Sequence, residues 1–222
     1  RSWNELRQLS PNLKKEVICG EIEASLKRLK VDVIDLYQVH WPQPDPDIEE
    51  AWSTVAEFVR QGKVRYAGVC NFNVAQLKRI QPIHPVASVQ PPYSMMVRGV
   101  EEELLPYCAA QNIGVVAYSP LQKGLLTGKI TREWIEGLAP EDHRRRDPQF
   151  QAPLLSANLD LVESLRPLAQ KHGRSIAHLA IAWVLRRPEV TAAIVGARKP
   201  SQIEQTMGAG EWALPQADLA LI

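Results

Sequence analysis

The sequence predicts an α/β fold built from parallel strand–helix units, and three observations carry that prediction. Short β-branched apolar stretches alternate with segments of helical periodicity. The strand-like stretches are mostly apolar instead of alternating, as expected when both faces are covered. Prolines, glycines and capping residues punctuate the boundaries at intervals that suit βα connections.

Taken in order, Ser10-Pro11 predicts a helix start, with a serine cap and proline at the first helical position. That helix runs through Ile18, Ile22, Ser25, Leu26 and Leu29. Val31 to His40 predicts a strand, and Pro42, Pro44 and Pro46 mark a loop. A helix follows with Ile48, Ala51, Trp52, Val55 and Val59 on one face and Gly62 as its stop. Strands are then predicted at Val64 to Cys70, Val86 to Gln90, Ile113 to Tyr118 and Thr191 to Val195. Between them come helices capped by Asn73, from Val100 to Gln111, from Leu159 to His172 and from Ser175 to Arg187. A last short helix starts near Ser201, and a long polar loop from about Gln122 to Ala157 interrupts the rhythm. The count is five strands in a single domain, 1–222.

Composition narrows the function classes. With 45% hydrophobic and 23% charged residues the chain reads as a soluble globular domain. A net charge of +1 argues against nucleic acid or an anionic membrane as partner. The Arg144-Arg145-Arg146 run lies among Glu141, Asp142 and Asp147 and reads as a solvated loop. Cys19, Cys70 and Cys108 lack metal-type spacing and read as reduced thiols. No stretch has membrane-spanning length or the core of a signal peptide, so the cytoplasm is the expected location.

In a parallel α/β barrel functional groups gather at the C-terminal ends of strands. Those positions here hold His40-Trp41, Cys70-Asn71-Phe72, Gln90, Tyr118-Ser119-Pro120 and Gly196-Ala197-Arg198. His40 suits hydrogen bonding to a carbonyl or proton transfer, or a structural bond to nearby backbone. Trp41 suits a pocket wall or core filler. Asn71 and Gln90 offer paired amide donors and acceptors, although asparagine also favours turns. Tyr118 offers a flat face for a planar ring, or a core position with a bonded hydroxyl. The segment Ala193 to Gln205 combines a close-approach glycine, two cations and a helix N-terminus, a combination suited to phosphate.

The ordered set of motifs resembles the aldo-keto reductase family. The resemblance rests on Asp32-Val-Ile-Asp-Leu-Tyr-Gln-Val-His40-Trp41, Gly62-Lys-Val-Arg-Tyr-Ala-Gly-Val-Cys-Asn-Phe72, Gln90-Pro-Pro-Tyr93 and Glu102-Glu-Leu-Leu-Pro-Tyr107. Ala117-Tyr-Ser-Pro-Leu121, Gly124-Leu-Leu-Thr-Gly-Lys129 and Gly196-Ala-Arg198 complete it. It implies a (β/α)8 TIM barrel, here incomplete, with strands four to eight present and the first three βα units absent. It also implies hydride transfer from a reduced nicotinamide to an aldehyde or ketone. By resemblance His40 orients and polarises the carbonyl of a small-molecule substrate, with Trp41 in the substrate pocket. Asn71 and Gln90 hold the carboxamide, and Tyr118 packs on the nicotinamide ring. Ser119, Pro120, Leu121 and Lys129 lie along the pyrophosphate, with the long loop as a cover. Gly196, Arg198 and Gln202 contact the adenosine phosphate end, implying NADP(H), and Gln205 and Thr206 sit by the adenine.

Cys70 stands where the family has serine, and Gln205 and Thr206 replace the more usual Glu and Asn, which implies weaker cofactor retention. The family's acid–base tyrosine and its lysine and aspartate come from the first three strands, so the chain alone is expected to reduce carbonyls poorly, if at all. An upstream segment or a second chain is expected to complete the barrel. The alternative is a non-catalytic NADP(H)-binding subunit, regulatory or auxiliary to a channel; His40 favours the enzyme.

Overall fold

The computed structural model describes residues 2–3 and 9–222, with side chains from residue 11 onward. The chain forms two compact units, one of residues 1–91 and 100–116, the other of residues 92–99 and 117–222.

In the first unit, strands β1 (Ser2–Trp3) and β2 (Leu9–Ser10) pair antiparallel. Helix α1 begins at Lys15 and ends at Leu29, later than the Ser10-Pro11 signal predicts. Ser10 is paired in β2 instead of capping a helix, and Lys14, still extended, is the residue that precedes the first turn. The first helical amides find other acceptors: Asn12 Oδ1 takes the Lys14 N–H at 3.0 Å and Glu50 Oε1 takes that of Lys15 at 2.9 Å.

Strand β3 (Ile34–Val39) leads through a turn to helix α2 (Ile48–Arg60), whose face of Ile48, Ala51, Trp52 and Val55 is buried as its periodicity predicts. Trp52 Nε1 donates to the His84 carbonyl at 2.9 Å, so the burial of this large side chain leaves no polar atom unmet. Gly62 takes a φ of 73°, the left-handed step that turns the chain into β4 (Val64–Cys70). Helix α3 (Val74–Ile80) is opened by a capping box in which Asn73 and Gln76 exchange hydrogen bonds. Strand β5 (Ser88–Gln90), helix α4 (Leu104–Ala110) and strand β6 (Gly114–Tyr118) follow. Within this unit β3 pairs parallel with β4, β4 with β5, and β5 with the start of β6, each strand beside its predecessor. That sequential parallel register brings the strand ends that hold His40, Asn71 and Gln90 to one rim. One face is bare in part: Leu36 and Tyr66 are register partners, and both are exposed.

The second unit holds the end of β6, helix α5 (Arg132–Glu136), helix α6 (Leu154–Lys171), helix α7 (Ile176–Leu185), strand β7 (Val190–Ile194), helix α8 (Pro200–Met207) and helix α9 (Gln216–Leu219). The segment 122–157, read from sequence as a polar loop, is instead a series of short helical turns around α5 with a small core of its own. Leu125, Ile135, Phe150 and Leu155 are buried together, with Met96, Ile130, Leu138 and Leu159 packed against them. Its apolar residues are too scattered to show a period, so the sequence hides the cluster. Buried Asp218 of α9 accepts from Lys171 Nζ at 2.8 Å and pairs with His172 Nε2 at 2.6 Å, anchoring the C-terminal helix to the end of α6.

Candidate functional site

His40 stands immediately after β3, with its ring 5.8 Å from that of Trp41, and the two line a cavity of about 320 Å³ with Asn12, Tyr37 and Gln43. Asn71 follows β4 with a φ of 63°, a left-handed backbone that asparagine tolerates better than most residues. Its amide nitrogen Nδ2 donates to the His40 carbonyl at 3.1 Å, and its backbone N–H donates to the Gln90 carbonyl at 3.1 Å. Gln90 Nε2 donates to Gln38 Oε1 at 2.9 Å, and Gln38 Nε2 to Ser88 Oγ at 3.1 Å. The first unit therefore gathers four expected residues, His40, Trp41, Asn71 and Gln90, at the ends of adjacent parallel strands, and a hydrogen-bond chain sets the amide orientations. Gln38 and Ser88 belong to that chain and carried no sequence signal beyond their place one or two residues before a strand end. Cys70 is buried in β4, and burial pushes its thiol up to about 11, so it is a neutral packing group.

In the second unit Tyr118 ends β6, and its carbonyl accepts the Tyr93 N–H at 3.1 Å. Ser119 takes a φ of 56° and opens a tight turn closed by the Gln122 N–H on its carbonyl at 2.9 Å. Tyr118, Ser119, Pro120, Leu121, Gly196, Arg198 and Gln202 line a cavity of about 630 Å³. Leu121, Lys129, Gly196, Gln202, Gln205 and Thr206 line another of about 580 Å³. Leu121, Gly196 and Gln202 belong to both walls, so the two form one continuous groove holding all ten expected residues of this unit.

Local bonds shape that groove. Gln202 Oε1 accepts the backbone N–H of Arg198 at 2.6 Å and of Lys199 at 3.1 Å, folding the glycine-arginine turn onto the start of α8. Lys129 Nζ donates to Gln205 Oε1 at 3.3 Å, and Thr206 Oγ1 donates back to the Gln202 carbonyl at 2.9 Å. Lys129 and Arg198 give the groove positive charge, and the backbone approaches it closely at Gly196. This donor set fits a polyanionic ligand with phosphates toward the cations and a flat group toward Tyr118.

Trp134, Arg144 and His178 also line the groove without a sequence signal for it, and Ser175 is signalled only as a helix start. The sequence places Arg144 with its neighbours in a solvated loop. Arg145 and Arg146 are exposed, but Arg144 stacks 4.7 Å from the Trp134 ring centre and is fixed by Asp142, whose carboxyl it holds well below the usual carboxylate range. The signal was the Asp142 partner two residues away, which a run of arginines masks. Among the described residues no cluster of metal-binding side chains occurs, and no helix is long and apolar enough to cross a membrane.

The model of the aldo/keto reductase family matches residues 3–222. The chain belongs to the aldo/keto reductase family. It is 41% identical over 213 residues to aldo-keto reductase YhdN of Bacillus subtilis (strain 168), covering 95% of this chain and 63% of that protein. It is 35% identical over 219 residues to the NADH-specific methylglyoxal reductase of Escherichia coli (strain K12), covering 97% of this chain and 66% of that one. The solved glycerol dehydrogenase of Gluconobacter oxydans superposes with a TM-score of 0.89 at 35% identity, over 96% of this chain and 65% of that one. The chain thus spans just under two thirds of the length of these relatives.

These matches correct one expectation. The fold class is the (β/α)8 barrel of the family, to which the match from 3 to 222 and the superposition over 96% of the chain point, and the class expected from the sequence, an incomplete barrel, does not stand. Sequential parallel βα units are a feature of this class, and the chain shows them from β3 to β6.

Proposed function

We propose that the protein is an NADP(H)-dependent oxidoreductase that reduces small aldehydes or ketones in the cytoplasm. The observation that carries the reading is the groove of the second unit, where ten residues expected at a dinucleotide site line two joined cavities bearing Lys129 and Arg198. When bound, the nicotinamide supplies the hydride.

The chain's own residues bind and orient. Arg198 and Lys129 neutralise phosphate charge, and the turn beginning at left-handed Ser119 brings main chain close to the pyrophosphate path. Tyr118 offers its ring face to the nicotinamide. Asn71 and Gln90 hold a carboxamide; their positions are fixed by the bonds to His40, Gln38 and each other's strand. His40 donates a hydrogen bond to the substrate carbonyl oxygen and draws charge toward it, which makes the carbon a better hydride acceptor. Lys123 and Arg144 of the groove are paired with Asp147 and Asp142, and Lys129 and Arg198 favour the extra phosphate of NADP(H) over NAD(H), although the methylglyoxal reductase among the relatives is NADH-specific.

Fluorescence titration with NADPH and NADH tests the reading. Saturable NADPH binding, weakened at least tenfold in Arg198→Ala, is expected, with NADH binding affected less. Equal binding of the two cofactors would overturn the NADP(H) preference, and no binding of either would overturn the site. In a preparation that consumes NADPH with a small aldehyde, His40→Ala removes most of the rate; an unchanged rate would reject the role of His40.

A further inference from the structure

Ser175 and His178 line the same cavity as Lys129, Gln205 and Thr206, yet the cofactor reading assigns them nothing. Their geometry is specific. Ser175 caps α7, its Oγ accepting the backbone N–H of His178 at 3.2 Å while also lying 2.8 Å from Nδ1 of the same histidine. That hydroxyl has a hydrogen of its own to give, and when Nδ1 accepts it the imidazole proton resides on Nε2.

Beyond α8 that edge meets Gly208, which has no side chain: a Cβ there would lie 3.8 Å from Nε2 and 3.1 Å from Arg174 Nη1. Burial and, secondarily, the charge of Arg174 lower the His178 pKa, so the ring is neutral at pH 7. A neutral imidazole adds no charge to a phosphate site. It offers one N–H in a fixed direction, next to an amide (Gln205), a hydroxyl (Thr206) and the small side chain of Ala177, and those groups suit a flat heteroaromatic ring with nitrogen lone pairs.

We infer that Ser175 and His178 form a base-recognition pair, in which Ser175 fixes the tautomer and the His178 Nε2–H donates to a ring nitrogen of the cofactor's purine. The inference rests on the proposal that this groove takes a nicotinamide dinucleotide, and it makes His178 a specificity-determining residue for the adenine end.

Calorimetric titration of the whole chain with AMP, with inorganic pyrophosphate as a base-free probe and with NADPH tests it. His178→Ala is expected to weaken AMP binding about fivefold to tenfold, the cost of one lost neutral hydrogen bond, with pyrophosphate affinity unchanged. His178→Gln keeps an N–H donor and is expected to recover most of the AMP affinity. Ser175→Ala is expected to cost about twofold to threefold by freeing the tautomer. Circular dichroism on each variant confirms that α7 remains folded. AMP affinity unmoved by His178→Ala, or AMP and pyrophosphate affinities falling together, would overturn the inference while leaving the cofactor reading intact. A wild-type chain that binds neither NADPH nor AMP would overturn the cofactor reading itself, and the histidine contact with it.

Discussion

Gly68 sits in β4 directly opposite Ser88 of β5, and it is the position where the rim of the first unit is most sensitive to a single methyl. A Cβ there would stand 2.4 Å from Ser88 Oγ, 2.9 Å from the Ser88 carbonyl oxygen and 3.2 Å from Gln38 Cγ. The hydroxyl can rotate away only by giving up the bond it accepts from Gln38, and the carbonyl belongs to the sheet and cannot rotate at all. Gly68→Ala therefore forces β4 and β5 apart by several tenths of an ångström. Overpacking of this kind costs about 1–3 kcal/mol. For a chain of this size each kcal/mol moves the melting temperature by about 2–4 °C, so a fall of about 2 to 12 °C is expected. Separation of the strands also lengthens the Asn71–Gln90 backbone bond, so nicotinamide mononucleotide binding should fall in the same variant. Thermal melting by circular dichroism and a mononucleotide titration read the two effects. Adding Ser88→Ala removes the nearest clash but not the carbonyl contact, so the double variant should regain part of the stability and not all of it. A Gly68→Ala protein that melts within a degree of wild type would refute the reasoning, because it would mean the strands can separate at no cost.

Three further outcomes follow from other elements. Asn73→Ala breaks the capping box of α3 and should cost about 1 kcal/mol in urea unfolding, with Asn73→Asp nearly neutral; an unchanged midpoint would show the cap to be redundant. Phe150→Ala empties the centre of the small cluster in segment 122–157 and should cost about 3–5 kcal/mol locally, read as faster proteolysis within that segment and faster release of NADPH; equal cleavage rates in the two proteins would contradict it. Stability should fall as pH is lowered, in two stages. His84 and His178 have pKa values below their ordinary 6.5, so the unfolded chain takes up protons first and the folded state loses ground below about pH 6.5. The depressed carboxyls of Asp45, Glu49 and Asp218 favour the folded state above their unfolded pKa values, and that benefit disappears as pH drops below about 4.5. A denaturation midpoint that rises between pH 7 and 5 would reverse the first sign.

The strand pattern was legible because it is carried by local chemistry. Val64 to Cys70 is the same strand by sequence and by structure, and the other four differ only at their ends. Helix α2 declared itself through one apolar face and a glycine stop, and α3 through its Asn73 cap. What stayed hidden depended on contacts distant in sequence. The start of α1 is set by Glu50, 35 residues away, which no local cap signals. The cluster around Phe150 joins residues from several short turns and from Met96. The candidate site divides the same way. Residues at strand ends could be named from the sequence, while Gln38, Arg144 and His178 required knowing what stands beside them. Ser175 was visible as a helix start, but nothing in the sequence said that its hydroxyl also engages an imidazole facing a groove.

The amide relay along the rim of the first unit carries a lesson for anyone redesigning this protein. Gln90, Gln38 and Ser88 each settle which way the next one turns, so the effect of changing one depends on which residues occupy the other two. Swaps at these three positions should combine non-additively, and libraries that sample them singly will discard combinations that succeed only as sets. Retuning this edge toward another ligand calls for exchanging all three together.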